Sequence, residues 1–419
     1  LDREYLQKTF DEVIKGKGIV DFIKHPLELL QVISALGEQG TRLGEMRKAL
    51  KKHKTPTEAA FASREVTLDF ARIGSKTRAV NMLIAFWNAR VQGLDKTIRE
   101  FGENPAKLTT KLFLSITLPS ILLYFANRDD DRWREIPQWQ KNLFWIILTE
   151  DHIYRIPKPF ELGILFGSVP ERILEYLDSE DPAIFSELYE AVKDGAIPDF
   201  IPTALLPIVE NMTNYDFFLK RNIVSQYREE LPEEEQYNTY TTETAKILGK
   251  WINYSPAKVE NLVNGYFATL GRWALETSDA AIRGTGIKSL PVEPKDTPAD
   301  WPLVRAFMVR EPIGSSSESV NKFYEKADKA QQAKTHFTQL MKKGALEEAQ
   351  KFLTDNPEIR VSHYLEQVRQ NLSAINKQRD LIRESTSLTA EDKRNRLDQL
   401  DRLSTDYAYK AILMTLKNE

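Results

Sequence analysis

Residues 111–131 read KLFLSITLPSILLYFANRDDD. From Leu112 to Asn127 no side chain is charged, and three aspartates then follow in a row. A helix needs about 20 apolar residues to span a bilayer, whereas runs of about 10–14 mark a buried or interfacial helix. This run has 16 residues and falls between the two. Pro119 sits near its middle, where it is expected to kink a helix and free a backbone carbonyl. The run reads first as core, with membrane contact as the open alternative. A second apolar run, Leu143–Leu148, is too short to span and is expected to pair with the first as an apolar hairpin over 112–148. The candidate membrane or helix-packing residues are Leu112, Phe113, Leu114, Ile116, Leu118, Pro119, Ile121, Leu122, Leu123, Tyr124 and Phe125. In the second run they are Phe144, Trp145, Ile146 and Ile147.

The aspartates Asp129, Asp130 and Asp131 could suggest a metal site. Adjacent carboxylates on an extended chain point alternately and converge poorly. They read as a polar turn between two apolar segments, partly neutralised by Arg128, Arg132 and Arg134.

The other constraints are broad. The 419 residues suffice for two or three domains, and 42% hydrophobic with 28% charged residues excludes a wholly disordered or polytopic membrane chain. There is no cysteine, which excludes disulfides, thiolate metal sites and cysteine nucleophiles. The chain opens on Leu1 with no recognisable leader, so it reads as a piece of a longer protein or a processed product.

The net charge of −3 hides an asymmetry. Residues 1–100 carry 18 Lys/Arg against 13 Asp/Glu, while residues 101–317 carry 22 against 32. The densest basic stretch, RLGEMRKALKKHK, offers Arg42, Arg47, Lys48, Lys51, Lys52 and Lys54 as a candidate basic patch for phosphates or anionic lipid. Without interleaved stacking aromatics it reads first as a solvated helix face.

Helical spacing dominates. Thr55, with Glu58 three residues on, opens one helix, and residues 75–100 form another that GENP ends. Residues 153–177 start extended and turn helical, and a short hairpin near 151–157 is the best strand candidate. Prolines 198, 202, 207 and 232 cut the next stretch into short pieces. Residues 253–282 then read as one helix, with Ser255 as cap and Pro256 at its first position. Its apolar face is Val259, Leu262, Val263, Tyr266, Phe267, Leu270 and Trp273. Residues 317–419, poor in Pro and Gly, read as two or three long antiparallel helices, with a Thr389/Asp392 capping box. The fold class is therefore mainly all-α: an irregular multi-helix domain with proline-rich extended links, plus a C-terminal antiparallel helical bundle. The expected divisions are an N-terminal helical segment (1–54), a helical core domain (55–311) and the bundle (312–419).

Catalytic chemistry is hard to find. His25, His53, His152, His336 and His363 lack zinc spacing and catalytic partners. GTGIKS at 284–289 lacks phosphate-loop spacing. Glu171 and Glu175 lie one helical turn apart without a nameable partner, and Gly163 with Gly167 makes a GxxxG that reads as ordinary helix packing. The expectation is no enzyme, no catalytic or metal residues and no cofactor.

Several stretches nevertheless form a pattern: FASREVTLDFARIGSKTRAVNMLIAFWNARVQGLDKTIREF (61–101), LSITLPSILLYFAN (114–127), IYRIPKPFELGILFGSVPERILE (153–175), NYSPAKVENLVNGYFATLGR (253–272), and VRAFMVREP before SSSESVNKFYEKAD (304–328). Together they resemble the C-terminal large polyvalent protein-associated helical domain of tailed-phage internal virion, or ejection, proteins. The resemblance implies a non-catalytic part of a longer chain, stored in the virion and delivered to the host envelope or cytoplasm. It also implies a homo-oligomer that meets other ejection or core proteins and the portal or tail, with possible DNA and membrane contact. The alternative is a virion-delivered effector acting in the host cell.

Overall fold

The computed structural model describes residues 26–52, 54–65, 87–179, 184–185, 188–189, 202–219, 221–238, 240–285, 290–301 and 304–416. The chain divides into two units, Leu1–Pro105 and Ala106–Glu419.

In the first unit, helices α1 (Pro26–Lys51) and α2 (Pro56–Glu65) pack together, and α3 (Trp87–Glu103) follows. α2 begins as its sequence dictates. The Thr55 backbone N–H donates to Glu58 Oε2 at 2.8 Å, and the Glu58 N–H donates to Thr55 Oγ1 at 3.3 Å. Lys96 of α3 donates to the Glu65 carbonyl at 2.9 Å. The GENP stop falls where the sequence places it, while residues 66–86, including most of the apolar middle of that predicted helix, lie outside the described residues.

The second unit opens with α4 (Pro105–Leu112), a π turn over Phe113–Thr117, and α5 (Leu118–Asn127). The helical run continues through Pro119, and the irregularity expected there is a π turn just before it. The widened turn donates from the Leu118 N–H to the Phe113 carbonyl five residues back, which makes room for the proline ring. The device recurs: a π turn over Ile164–Ser168 precedes Pro170. Between the two lie α6 (Asp131–Glu135), α7 (Gln138–Leu143), strands β1 (Phe144–Leu148) and β2 (Ile153–Pro157), and the short α8 (Phe160–Gly163). α9 (Val169–Ser179) follows.

The predicted strand near 151–157 is β2, and its partner is the second apolar run. β1 and β2 are antiparallel, with Phe144 opposite Pro157 and Leu148 opposite Ile153. FWIIL is β-branched and aromatic and too short for a stable helix, so it pairs as a strand. It adjoins the first apolar run as strand against helix, and Asn127 of α5 donates to the Ile146 carbonyl at 2.8 Å. A small core of Tyr124, Trp133, Ile136, Ile146 and Ile153 joins them.

Next come α10 (Leu206–Thr213), the small ladder of β3 (Tyr215–Asp216) with β4 (Arg221–Asn222), α11 (Glu243–Ile252) and α12 (Pro256–Gly284). Ser255 does not cap α12 with its side chain: its hydroxyl donates instead to the Gln236 carbonyl at 3.0 Å. Nor is the predicted apolar face of α12 uniformly buried. Val259 is buried, but Tyr266, Phe267 and Leu270 are exposed, because the helix bends at Ala268 (φ 48°, ψ −131°).

Strand β5 (Met308–Val309) adds to the free edge of β2, and the C-terminal bundle follows. It comprises α13 (Glu318–Lys342), the short α14 (Leu346–Asp355), α15 (Glu358–Glu384) and α16 (Ala390–Leu416). Val320, Phe323, Ala327 and Ala330 face Leu365, Val368, Leu372 and Ile375, with Ala408 and Ala411 from the third long helix. Both series step by three and four, the seam of packed antiparallel helices, and the alanines let the backbones approach. Ser317 caps α13 by accepting from the Val320 N–H, and Thr389 accepts from the Asp392 N–H at 3.1 Å. The fold is mainly all-α, as predicted.

Candidate functional site

The helix formed by α4, its π turn and α5 has an unusual sidedness. Leu112, Ile116, Ser120, Tyr124 and Asn127 are buried, one face at helical spacing. Three of these five carry polar groups, and each has a hydrogen-bond partner. Ser120 Oγ accepts from Trp145 Nε1 at 2.7 Å, the Tyr124 hydroxyl donates to Asp178 at 2.6 Å, and Asn127 holds the Ile146 carbonyl. Burial and the neighbouring Asp178 push the Tyr124 hydroxyl's pKa up. The outward residues are the strongly apolar ones: Phe113, Leu114, Leu122 and Phe125 are 47–60% exposed. From Pro105 to Asn127 the helix is long and apolar enough to cross a membrane by length and composition, and 22% of its most apolar window is buried. A soluble-core helix buries its apolar face; this one buries Ser120, Tyr124 and Asn127 beside Leu112 and Ile116 and leaves Phe113, Leu114, Leu122 and Phe125 on its outer side.

What fixes the buried face is the crossing with α9. Gly167, in the second π turn, is where the two segments meet: a Cβ there would lie 2.8 Å from Ser120 Oγ and 3.3 Å from Ile116 Cγ2. Thr117 Oγ1 donates to the Phe166 carbonyl at 2.7 Å across the same crossing. Gly163 serves a different purpose, leaving room for Lys158, whose Cβ would be 2.6 Å from an added methyl. That turn points Lys158 inward. Leu165 on the second π turn and Ile173 and Leu177 on α9 are exposed as well.

Beneath the crossing lies a buried ion network that the sequence did not reveal. Lys158 Nζ sits 2.6 Å from Glu171 Oε2, 2.8 Å from the Lys141 carbonyl and 3.1 Å from Ser168 Oγ. Arg172, fully buried, pairs with Glu175 and donates to Gln138 Oε1 at 2.6 Å. Lys141 lies 3.8 Å from Glu175 and 4.8 Å from the centre of the Trp133 ring. Burial pushes Lys158 down to about 8, against the opposing pull of Glu171, and pushes Lys141 down as well. Burial alone would raise Glu175, but Arg172 and Lys141 more than offset it and hold its carboxyl below the usual range. An amine depressed this far can serve as a nucleophile. Here its side chain is 1% exposed and its three N–H donors each have an acceptor, so it acts as a structural cross-brace. Glu171 and Glu175 thus find partners in Lys158, Arg172 and Lys141. Their sequence signal was three charges inside an otherwise apolar, proline-flanked stretch.

The other predicted residues fall as follows. Leu118, Pro119, Ile121 and Leu123 are half-buried; Ile146 is buried in β1, with Phe144, Trp145 and Ile147 half-buried beside it. Asp130 caps α6, accepting from the Arg132 N–H at 2.8 Å and pairing with its guanidinium, which holds its carboxyl low; Asp131 pairs with Arg134 at 3.2 Å. Among the described residues no group of acidic and histidine side chains is placed to hold a metal. In the first unit, Arg47, Lys48, Lys51, Lys52 and Lys54 are exposed, while Arg42 pairs with Glu38 at 2.7 Å and Lys48 with Glu45 at 3.0 Å. His152 stacks edge-on with Tyr154, His336 tilts against Phe352, and His363 meets Gln367. His25, His53 and residues 286–289 of GTGIKS lie outside the described residues.

Comparison with known families matches residues 130–304 to large polyvalent protein associated domain 38, a phage-associated domain. The match holds β1 and β2, the ion network from Gln138 to Glu175 and all of α12. No curated protein and no solved structure matches the chain.

Proposed function

We propose, from a chain whose residues 130–304 form a phage-associated domain, that this protein is a structural internal virion protein of a tailed phage. It is part of a larger chain, ejected with the genome, and assembles with copies of itself and with other ejection proteins as a conduit across the host envelope. In this reading it works by assembly rather than catalysis. The observation that carries the reading is the outward apolar face of α4–α5, with Phe113, Leu114, Leu122 and Phe125 uncovered over a rigid, hydrogen-bonded inner face. A contiguous apolar surface of this kind calls for a cover, either a protein partner or lipid.

Two further features suit delivery through a narrow tail. The cysteine-free chain can unfold without redox chemistry. Its bundle is dominated by contacts local in sequence, which favour rapid refolding. The exposed lysines after α1 would meet DNA phosphates or anionic lipid.

The test is mass spectrometry of purified virions and of emptied ghosts, followed by fractionation of infected cells. The chain should be present in virions, absent from ghosts, and found afterwards as an oligomer in the envelope fraction. Absence from mature virions overturns the proposal. A soluble cytoplasmic monomer after infection would replace it with an effector acting in the host.

A further inference from the structure

The bend in α12 occurs at a residue with no local reason to bend. Ala268 lies between Phe267 and Thr269, and alanine is the best helix former. Its φ of 48° and ψ of −131° belong to a region that a β-carbon disfavours and glycine accepts. The glycines of this helix stand elsewhere, at 265, 271 and 284. Nothing in 256–284 other than the bend itself departs from a continuous helical pattern.

The bend folds the helix back on itself. A Cβ on Gly271 would lie 2.5 Å from the Val263 carbonyl oxygen and 2.9 Å from Phe267 Cβ. In a straight helix, residues eight apart are separated by about 12 Å along the axis. Glu260 and Asp279 give an independent measure, because 19 residues of straight helix would hold them about 28 Å apart. Here they grip consecutive backbone groups at the start of α11. The Thr242 N–H donates to Glu260 Oε1 at 2.7 Å. The Glu243 and Thr244 N–H groups donate to Asp279 at 2.9 and 2.8 Å, and the Thr244 hydroxyl adds a fourth bond at 3.0 Å. The first turn of a helix has unsatisfied N–H groups and favours negative charge, so the two carboxylates suit it. Around the bend, Tyr266, Phe267 and Leu270 stand 46–64% exposed.

We propose that α12 is a two-state element: folded back in this state by the Glu260–Asp279 clamp on α11, and a single straight helix of about 43 Å in a second state reached when the clamp releases. The two states balance opposing local preferences. Straightening relieves Ala268 and restores the continuous pattern of the sequence; folding back gains the charge-assisted hydrogen bonds and needs the bare Cα of Gly271. Release would swing the arm after Ala268 away from α11, changing the surface that Tyr266, Phe267 and Leu270 offer around the bend. The inference stands independently of the virion reading, because it concerns this chain alone.

The absence of cysteine makes the test direct. Lys258→Cys and Ala281→Cys introduce two unique labelling sites, one on each arm, and a pulsed spin-label measurement reads the distance between them. The parent should give a short distance, and the straight state about 35 Å for 23 residues. Asp279→Ala combined with Gly271→Ala should move most of the population to the long distance with helical content retained. Asp279→Ala alone should show both distances, and adding Ala268→Gly to it should shift that population toward the short one, because glycine tolerates the bend. A distance that stays short in the Asp279→Ala/Gly271→Ala variant overturns the proposal. So does loss of helical content in that variant, or indifference of the distance to Ala268→Gly.

Discussion

Lys158 and Glu171 form a buried ion pair at 2.6 Å, with side chains 1% and 4% exposed. Each charge is tolerable there because of the other. Truncating one partner of a buried pair costs about 3–5 kcal/mol, whereas replacing both with apolar residues of similar size is often near neutral. Glu171→Ala is expected to destabilise the second unit by that amount, and Lys158→Met/Glu171→Leu by much less. Urea denaturation of Lys158→Met, Glu171→Leu and the double variant closes the cycle; a loss in the double equal to the sum of the two single losses would show that the pair is not coupled.

The same lysine gives a pH dependence. Burial lowers its pKa in the fold to about 8, from an ordinary value of 10.5. Between those values the unfolded chain binds more protons than the folded one, so this group adds stability as pH rises from 8 toward 10.5. The gain is at most about 3 kcal/mol, from 1.36 kcal/mol per pKa unit. Stability curves of the parent and of Lys158→Met, measured from pH 7 to 10, should converge or diverge by this term alone, with the parent rising relative to the variant.

Gly167 marks the crossing of α5 with the second π turn. An added methyl would press Ser120 Oγ, which is already engaged by Trp145. Overpacking of this kind costs about 1–3 kcal/mol. Gly167→Ala should lower the denaturation midpoint accordingly, and it should perturb Trp145 fluorescence. Gly93→Ala, in a helix with open space around that Cα, is the control and should not destabilise.

Leu122 stands on the outer face of the apolar helix. At 60% exposure it contributes little to the isolated fold. Leu122→Asp is expected to change solution stability by less than about 1 kcal/mol, mostly from helix propensity. Its effect should appear in assembly: oligomerisation or flotation with anionic vesicles should fall clearly. Tyr124→Phe, two residues on, should do the reverse, losing about 1 kcal/mol through the hydrogen bond to Asp178 and leaving assembly intact.

Asp401 ties the bundle to the segment before it. Arg379 lies 2.7 Å from its carboxylate, Arg310 pairs with the other oxygen, and Gly314 leaves no room for a β-carbon beside it. Asp401→Asn leaves two arginines facing a neutral group and should cost about 3 kcal/mol or more. Hydrogen exchange should localise the loss to the contacts between residues 310–317 and α16.

Much of this fold is written locally. Thr55 with Glu58, Ser317 with Val320, and Thr389 with Asp392 set helix starts across three residues, so the chain itself specifies them. The three-and-four spacing of Val320, Phe323, Ala327 and Ala330 likewise contains its own seam. The sequence by itself therefore determined the helical class, these helix starts and the long-helix bundle. Only the tertiary structure decided the rest, because the deciding partners are distant in the chain. Ser120 turns inward for Trp145, 25 residues on, and Tyr124 for Asp178, 54 residues on, so the run divides into an inner face that also holds Leu112 and Ile116 and an outer face of Phe113, Leu114, Leu122 and Phe125. FWIIL becomes a strand because β2 is there to pair with it. α12 bends at an alanine because carboxylates from both of its arms satisfy the same helix start, a long-range gain that overrides a local preference.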